Sequence, residues 1–106
     1  MIIKETSIFT QIILDAMPDD SYREFQELLI KNPGIGKIIK KSGGIRKVRW
    51  NIPNTGKSGG IRIIYYWIVA EDQLYMLYAY KKSKQEDLTP DQVDILRKVV
   101  EEELLL

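Results

Sequence analysis

Apolar positions follow a helical spacing in the first third of the chain and a strand spacing in its middle. Residues 2–7 (Ile2-Ile3-Lys4-Glu5-Thr6-Ser7) predict a short first strand. Ile8, Phe9, Ile12, Ile13 and Ala16 then share one face of a helix over residues 8–17. Pro18-Asp19-Asp20-Ser21 opens a second helix, where the two acids suit the positive end of the dipole and Ser21 and Glu24 have capping-box spacing. Tyr22, Phe25, Leu28 and Leu29 form its apolar stripe, and Asn32-Pro33-Gly34 ends it, so the two helices pair as a hairpin. From Ile45 the period drops to two: Arg46, Val48 and Trp50 fall on one face of a strand over residues 45–50, and Ile45, Lys47 and Arg49 on the other. Residues 51–60, with Pro53, Asn54 and three glycines, predict a loop. Residues 61–69 and 74–80, joined by Glu71-Asp72-Gln73, predict a β-hairpin. Thr89-Pro90-Asp91-Gln92 starts a final helix: Thr89 is the N-cap, Pro90 the first helical residue, and Gln92 closes a capping box. Val93, Leu96, Val99 and Val100 give this helix its buried side, while Glu101-Glu102-Glu103 opposes the dipole and predicts fraying. The order β-α-α-β-β-β-α predicts one α+β domain over residues 1–106, a mainly antiparallel sheet with the helical hairpin packed on one face. The other face is left to carry function.

Composition narrows the chemistry. The 106 residues include no cysteine and no histidine. This excludes a disulfide framework, a Cys/His zinc site and any triad built on histidine. No metal or other cofactor is expected, and an enzyme of this composition must draw its acids and bases from Asp, Glu, Lys, Arg or Tyr. A content of 44% hydrophobic and 29% charged residues is that of an ordinary globular domain. No apolar run approaches the ~20 residues of a membrane span, and the N-terminus lacks a signal peptide's layout, so no membrane partner and a cytoplasmic location are expected.

Sixteen basic residues nearly balance fifteen acidic ones, but the charge is segregated. Between Glu27 and Glu71 there is no acidic residue, and that stretch holds nine cations: Lys31, Lys37, Lys40, Lys41, Arg46, Lys47, Arg49, Lys57 and Arg62. Lys81, Lys82 and Lys84 follow. A basic middle between acidic flanks suggests a face aimed at a polyanion, most commonly nucleic acid; the plainer alternative is a solvated lysine-rich surface. Placement within strands favours the first reading. Lys47 and Arg49 share a strand face, and Arg62 heads the next strand, sharing its face with Ile64 and Tyr66. Cations side by side without a carboxylate cost energy until an anion arrives, and arginine grips phosphate bidentately. The structural alternative is edge charge that discourages aggregation. Tyr65, Tyr66, Trp67, Tyr75, Tyr78 and Tyr80 crowd the hairpin, mostly as core; Tyr80, beside the lysine cluster, is the first choice for stacking on a base. Asn51-Ile52-Pro53-Asn54-Thr55-Gly56-Lys57-Ser58 nearly spells a phosphate-binding loop, yet it lacks the first glycine and lies between strands instead of opening a helix. Gly34-x-Gly36 reads as a helix-terminating turn.

Three runs are familiar together: Gly43-Gly44-Ile45-Arg46-Lys47-Val48-Arg49-Trp50; Gly56-Lys57-Ser58-Gly59-Gly60-Ile61-Arg62-Ile63-Ile64-Tyr65-Tyr66-Trp67; and Leu77-Tyr78-Ala79-Tyr80-Lys81-Lys82-Ser83-Lys84, closed by Asp87-Leu88-Thr89-Pro90. They resemble the RelE/ParE superfamily of toxins from type II toxin–antitoxin modules, with HigB as the most similar branch. The resemblance implies a RelE-like α+β fold and a cognate HigA- or RelB-like antitoxin. It also implies a ribosome-dependent endoribonuclease that cuts messenger RNA in the A site and so inhibits translation. In that chemistry the ribose 2′-OH attacks the adjacent phosphate, leaving a 2′,3′-cyclic phosphate and a 5′-OH.

Carried over residue by residue, the family's basic positions fall on Lys47, Arg49, Arg62 and the patch Lys81, Lys82 and Lys84; the expected catalytic set is Lys47, Arg49, Arg62, Lys82 and Lys84, and Lys81 joins Lys40, Lys41, Lys57 and Tyr80, read from charge and position, as the expected RNA-binding set. Arg62 is expected to stabilise the transition-state charge, Arg49 to position phosphate, and Lys47 to act as base, because neighbouring cations favour a lysine's neutral form. Lys82 or Lys84 would deliver a proton or hold the message. Some relatives carry a tyrosine in the C-terminal segment or histidines in the site. This chain has no histidine and no tyrosine after Tyr80, which leaves the general acid unassigned. A ParE-like gyrase inhibitor, a nucleic-acid-binding module without chemistry and an inactive homologue kept as an antitoxin partner are the alternatives.

Overall fold

The computed structural model describes residues 1–52 and 59–104. A five-stranded sheet in the order β1-β5-β4-β3-β2 forms its middle layer. The strands are β1 (Ile2–Glu5), β2 (Lys37–Ile38), β3 (Arg46–Asn51), β4 (Gly60–Ile68) and β5 (Gln73–Lys81). The helices are α1 (Ser7–Ala16), α2 (Asp19–Lys31) and α3 (Pro90–Val99). β1 runs parallel to β5, and the other pairings are antiparallel. The α+β class and the helical hairpin on one sheet face are as predicted. Among the described residues, no helix is long and apolar enough to cross a membrane.

The alternation expected in β3 and β4 sorts their side chains. Val48, Trp50, Ile61, Ile63 and Tyr65 face the hairpin and pack with Phe9, Ile13, Phe25 and Leu29 in the main core. Thr6 caps α1, its hydroxyl accepting from the Phe9 amide at 3.1 Å, and α3 carries the Thr89–Gln92 capping box. The capping box expected at Ser21 is absent, because α2 begins two residues earlier at Asp19. Ser21 is instead buried inside the helix, and its hydroxyl accepts from Trp50 Nε1 at 3.0 Å, tying α2 to β3.

Three further features depart from the sequence reading. β2 is a two-residue strand, too short to leave a periodic signal. Val100–Leu104 continues α3 as a π-type turn, where Arg97 faces Glu101 at 3.9 Å and offsets part of the unfavourable acidic end. The sheet face opposite the hairpin is only partly free. Leu88, Leu96 and Val100 from the α3 segment close over Ile45, Ile64, Leu77 and Tyr80 in a second, smaller core. A register shift helps to fill that core: Ile64 pairs with Tyr78 but Tyr65 with Met76, leaving Leu77 as an extra residue in β5. What remains open on this face is the strip over β2, β3 and the leading end of β4.

Candidate nucleic-acid interface

Strand register places the cations. Arg49 lies directly opposite Arg62, and Lys47 directly opposite Lys37 on its other side. Like charges in direct cross-strand register are destabilising. Gly60 makes room for the first pair: a Cβ there would stand 3.2 Å from Arg49 Nε and 3.4 Å from its Nη2, so the guanidinium lies flat against bare backbone. Arg62 is flanked on its other side by Tyr80. Its Nε is buried and has no hydrogen-bond partner among the described residues, and the same holds for the Tyr80 hydroxyl.

Not every expected cation joins this cluster. Arg46 turns to the hairpin side of β3, where its Nη1 donates to the Gly34 and Gly36 carbonyls at 3.1 and 2.8 Å. Lys81 pairs with Ile61, whose side chain belongs to the hairpin core, so its position is on the wrong face for the site. The Lys82 amide continues the ladder to the Gly60 carbonyl at 3.2 Å, which by alternation returns Lys82 to the Arg62 side. Lys84 is exposed in the following turn. Lys40 lines a hollow of about 350 Å³ shared with Lys37, Lys47 and Asp87. Lys41 sits at a positive φ of 63° with its carbonyl accepting from Arg97 on α3, away from the arginine pair. Lys57 and most of the near phosphate-loop run lie outside the described residues.

Tyr80 requires a correction. It is on the expected face, but it is 5% exposed and packed near Tyr78, with ring centroids 6.2 Å apart. No ring face is available to stack on a base, because the segment leading into α3 covers it. Burial is the main cause of a raised phenol pKa; the Asp87 charge adds to the rise and Arg62 opposes it. Tyr80 therefore stays protonated at neutral pH.

Asp87 is the member of this cluster that sequence reasoning missed. Both its carboxylate oxygens lie 3.4 Å from Lys47 Nζ. Partial burial opposes its ionisation, but the Leu88 amide, the Lys47 ammonium and the Arg62 guanidinium outweigh this and hold it below the usual carboxylate range. A side-chain weave fixes its position: Gln85 Nε2 donates to the Asp87 carbonyl at 2.7 Å and to Gln92 Oε1 at 2.5 Å. The same Gln92 oxygen accepts from the Thr89 amide in the capping box. Lys47 is thus not an unneutralised cation, and crowding by other cations no longer singles it out as the base. The signal available in sequence was an acid set two residues before a strong N-cap. A larger hollow, of about 540 Å³, lies between α3 and β5 around Ile8, Tyr75 and Ile95, and no cation lines it.

This arrangement can bind the phosphate of a nucleic acid between two arginines, with a lysine–carboxylate pair and a buried phenol alongside. The solved structure of a double arginine-to-alanine variant of the E. coli toxin RelE, in the free state, matches with a TM-score of 0.61 at 13% identity over 97% of either chain, a likeness of fold. The model of the family described as the RelE toxin of the RelE/RelB toxin–antitoxin system matches residues 31–105, which span β2 to the end of α3 and every cation placed above. The chain therefore belongs to the RelE toxin family.

Proposed function

We propose that this protein is the toxin of a type II toxin–antitoxin module and acts as a ribosome-dependent messenger RNA endoribonuclease in the cytoplasm. Its partners are the ribosome, the message and a RelB- or HigA-like antitoxin. Family membership supports the toxin role. The observation that carries the cleavage reading is the Arg49–Arg62 register pair, which has no anion of its own in direct cross-strand position.

The reaction is the internal transesterification of RNA. The 2′ oxygen bonds to phosphorus as the bond to the 5′ oxygen breaks; one proton leaves the 2′-OH and one reaches the 5′ oxygen. Arg62, set directly opposite Arg49, would stabilise the extra negative charge on the phosphoryl oxygens through its guanidinium. Arg49, held against Gly60, would orient the phosphate. Asp87, ionised at neutral pH, would be the proton acceptor, with Lys47 beside it. Lys82 or Lys84 would protonate the leaving oxygen or hold the message. None of these is a strong general acid–base catalyst at pH 7, so orientation by the ribosome must supply much of the acceleration; alignment alone is worth ~7–11 kcal/mol in favourable cases. Naked RNA should be cut poorly. An antitoxin with acidic or helical surface would silence the site by covering the basic strip.

Primer extension on a translated message after induction tests this reading. Cuts spaced by codons are the expected result. Loss of DNA supercoiling without cuts would overturn it in favour of a gyrase inhibitor.

A further inference from the structure

The two like-charge pairs recur on a fixed step. Along β3, Lys47 and Arg49 are two residues apart on the same face, which is a separation of ~6.6 Å. Each continues sideways into a second cation: Arg49 into Arg62 on β4, and Lys47 into Lys37 on β2. The face therefore carries two parallel cationic stations. Their spacing is comparable to the distance between consecutive phosphates of an extended single strand. Resting on the reading of Arg49 and Arg62 as the scissile-phosphate station, the geometry points to a second, non-scissile phosphate subsite at Lys37 and Lys47 that holds the neighbouring nucleotide of the message.

Three observations support this assignment. Lys37 belongs to a two-residue strand that, among the described residues, pairs with β3 alone, so the register that sets it against Lys47 is the main product of that pairing. Such an arrangement is unfavourable for two ammonium groups unless an anion lies between them. Lys37, Lys40 and Lys47 line one 350 Å³ hollow, whose other walls include Ile38, Ile39 and Leu88. A hollow with a cationic rim and apolar walls suits a nucleotide, whose phosphate and base have those two characters. Finally, Asp87 supplies the anion that this station has in the free protein, at 3.4 Å from Lys47 and with its carboxylate 65% exposed. That is a long and solvated contact, which a phosphodiester accepting from both ammonium groups can replace.

Two short, uncleavable 2′-O-methyl oligonucleotides test the subsite: a dinucleotide with one phosphate and a trinucleotide with two. The wild-type protein should bind the trinucleotide more tightly. Its binding should also show a salt dependence steeper by about 0.7 in slope, the value for one further phosphate contact on a single strand. Lys37→Gln should abolish the difference while leaving dinucleotide affinity unchanged, and Lys37→Arg should retain it. Asp87→Asn should enlarge it. Arg62→Gln should weaken both ligands. The inference is overturned if wild type does not distinguish the two oligonucleotides, or if Lys37→Gln weakens both equally. It is also overturned if Lys37→Gln changes neither affinity yet lowers cleavage on ribosomes, which would assign Lys37 to ribosomal RNA. Cleavage by the wild type on ribosomes is measured separately, so a failure of the subsite and a failure of the ribonuclease reading give different results.

Discussion

The two faces of the sheet are built on opposite terms. On the hairpin side, polar groups that enter the core find partners. Tyr65 donates to the Pro33 carbonyl at 2.7 Å and accepts from the Gly36 amide at 3.0 Å. Trp50 reaches Ser21, and Tyr22 and Thr10 both donate to the Glu5 carboxylate at 2.6 Å. Burial and the adjoining carboxylate hold the Tyr22 phenol well above its ordinary pKa, so it remains a donor. Trp67 Nε1 is the exception among the described residues. On the other side, arginine faces arginine, lysine faces lysine, and the buried Nε of Arg62 finds no partner among the described residues. One sheet thus supports a face organised for stability and a face on which like charges meet at a cost in stability, a cost that functional sites commonly carry.

Substitutions on the two faces should therefore separate stability from activity. The largest effect belongs to the hairpin side. Phe25 is fully buried with its ring at 5.4 Å from that of Trp50, and Phe25→Ala should cost about 3–5 kcal/mol in denaturant unfolding. Next is Arg62→Gln, expected to reduce cleavage of ribosome-bound message by ~10²–10³-fold, the typical cost of losing one charge-stabilising donor. Its unfolding midpoint should stay level or rise, because the repulsion with Arg49 is relieved. Gly36→Ala comes third: a Cβ would stand 2.9 Å from the Lys47 carbonyl oxygen and from the Tyr65 hydroxyl, so a loss of about 1–3 kcal/mol should appear in thermal unfolding. Thr89→Ala removes the cap that positions the Asp87 segment and should cost ~1 kcal/mol by the same measurement.

The smallest effect concerns pH. Folding lowers the Asp87 pKa, so its contribution is fully present above the unfolded carboxylate value of about 4 and is lost as pH falls through the folded value. With the carboxylate 65% exposed, that contribution is below ~1 kcal/mol. Asp87→Asn should flatten the acid side of the stability curve by that amount, seen in urea midpoints taken from neutral pH downward.

Local chemistry was legible in the sequence. The Thr89–Gln92 capping box, the hairpin of helices and the face assignments of Lys47, Arg49 and Arg62 all follow from spacing within one element. What escaped depends on contacts between distant segments. The role of Asp87 arises across forty residues, where the stretch before α3 folds back onto β3. Tyr80 lies on the side that alternation and the lysine cluster suggested, but its burial depends on how α3 covers the sheet. The extra residue at Leu77 shifts the phase of β5, so counting by twos through that strand would separate Tyr75 from Tyr80 although both share a face. Ser21 has the right spacing for a cap, yet helix start is decided by Pro18 and the acids after it. Lys37 could not be assigned because a two-residue strand has no period of its own.

The central claim is that the cations of β3 and β4 surround a phosphodiester held by the translating ribosome. A variant neutral at all three positions (Lys47→Gln, Arg49→Gln and Arg62→Gln together) tests it most directly. Purified and shown to be folded, it should leave a ribosome-bound message intact under conditions in which the parent protein cuts it to completion. Cutting by this variant at the parental rate would contradict the account.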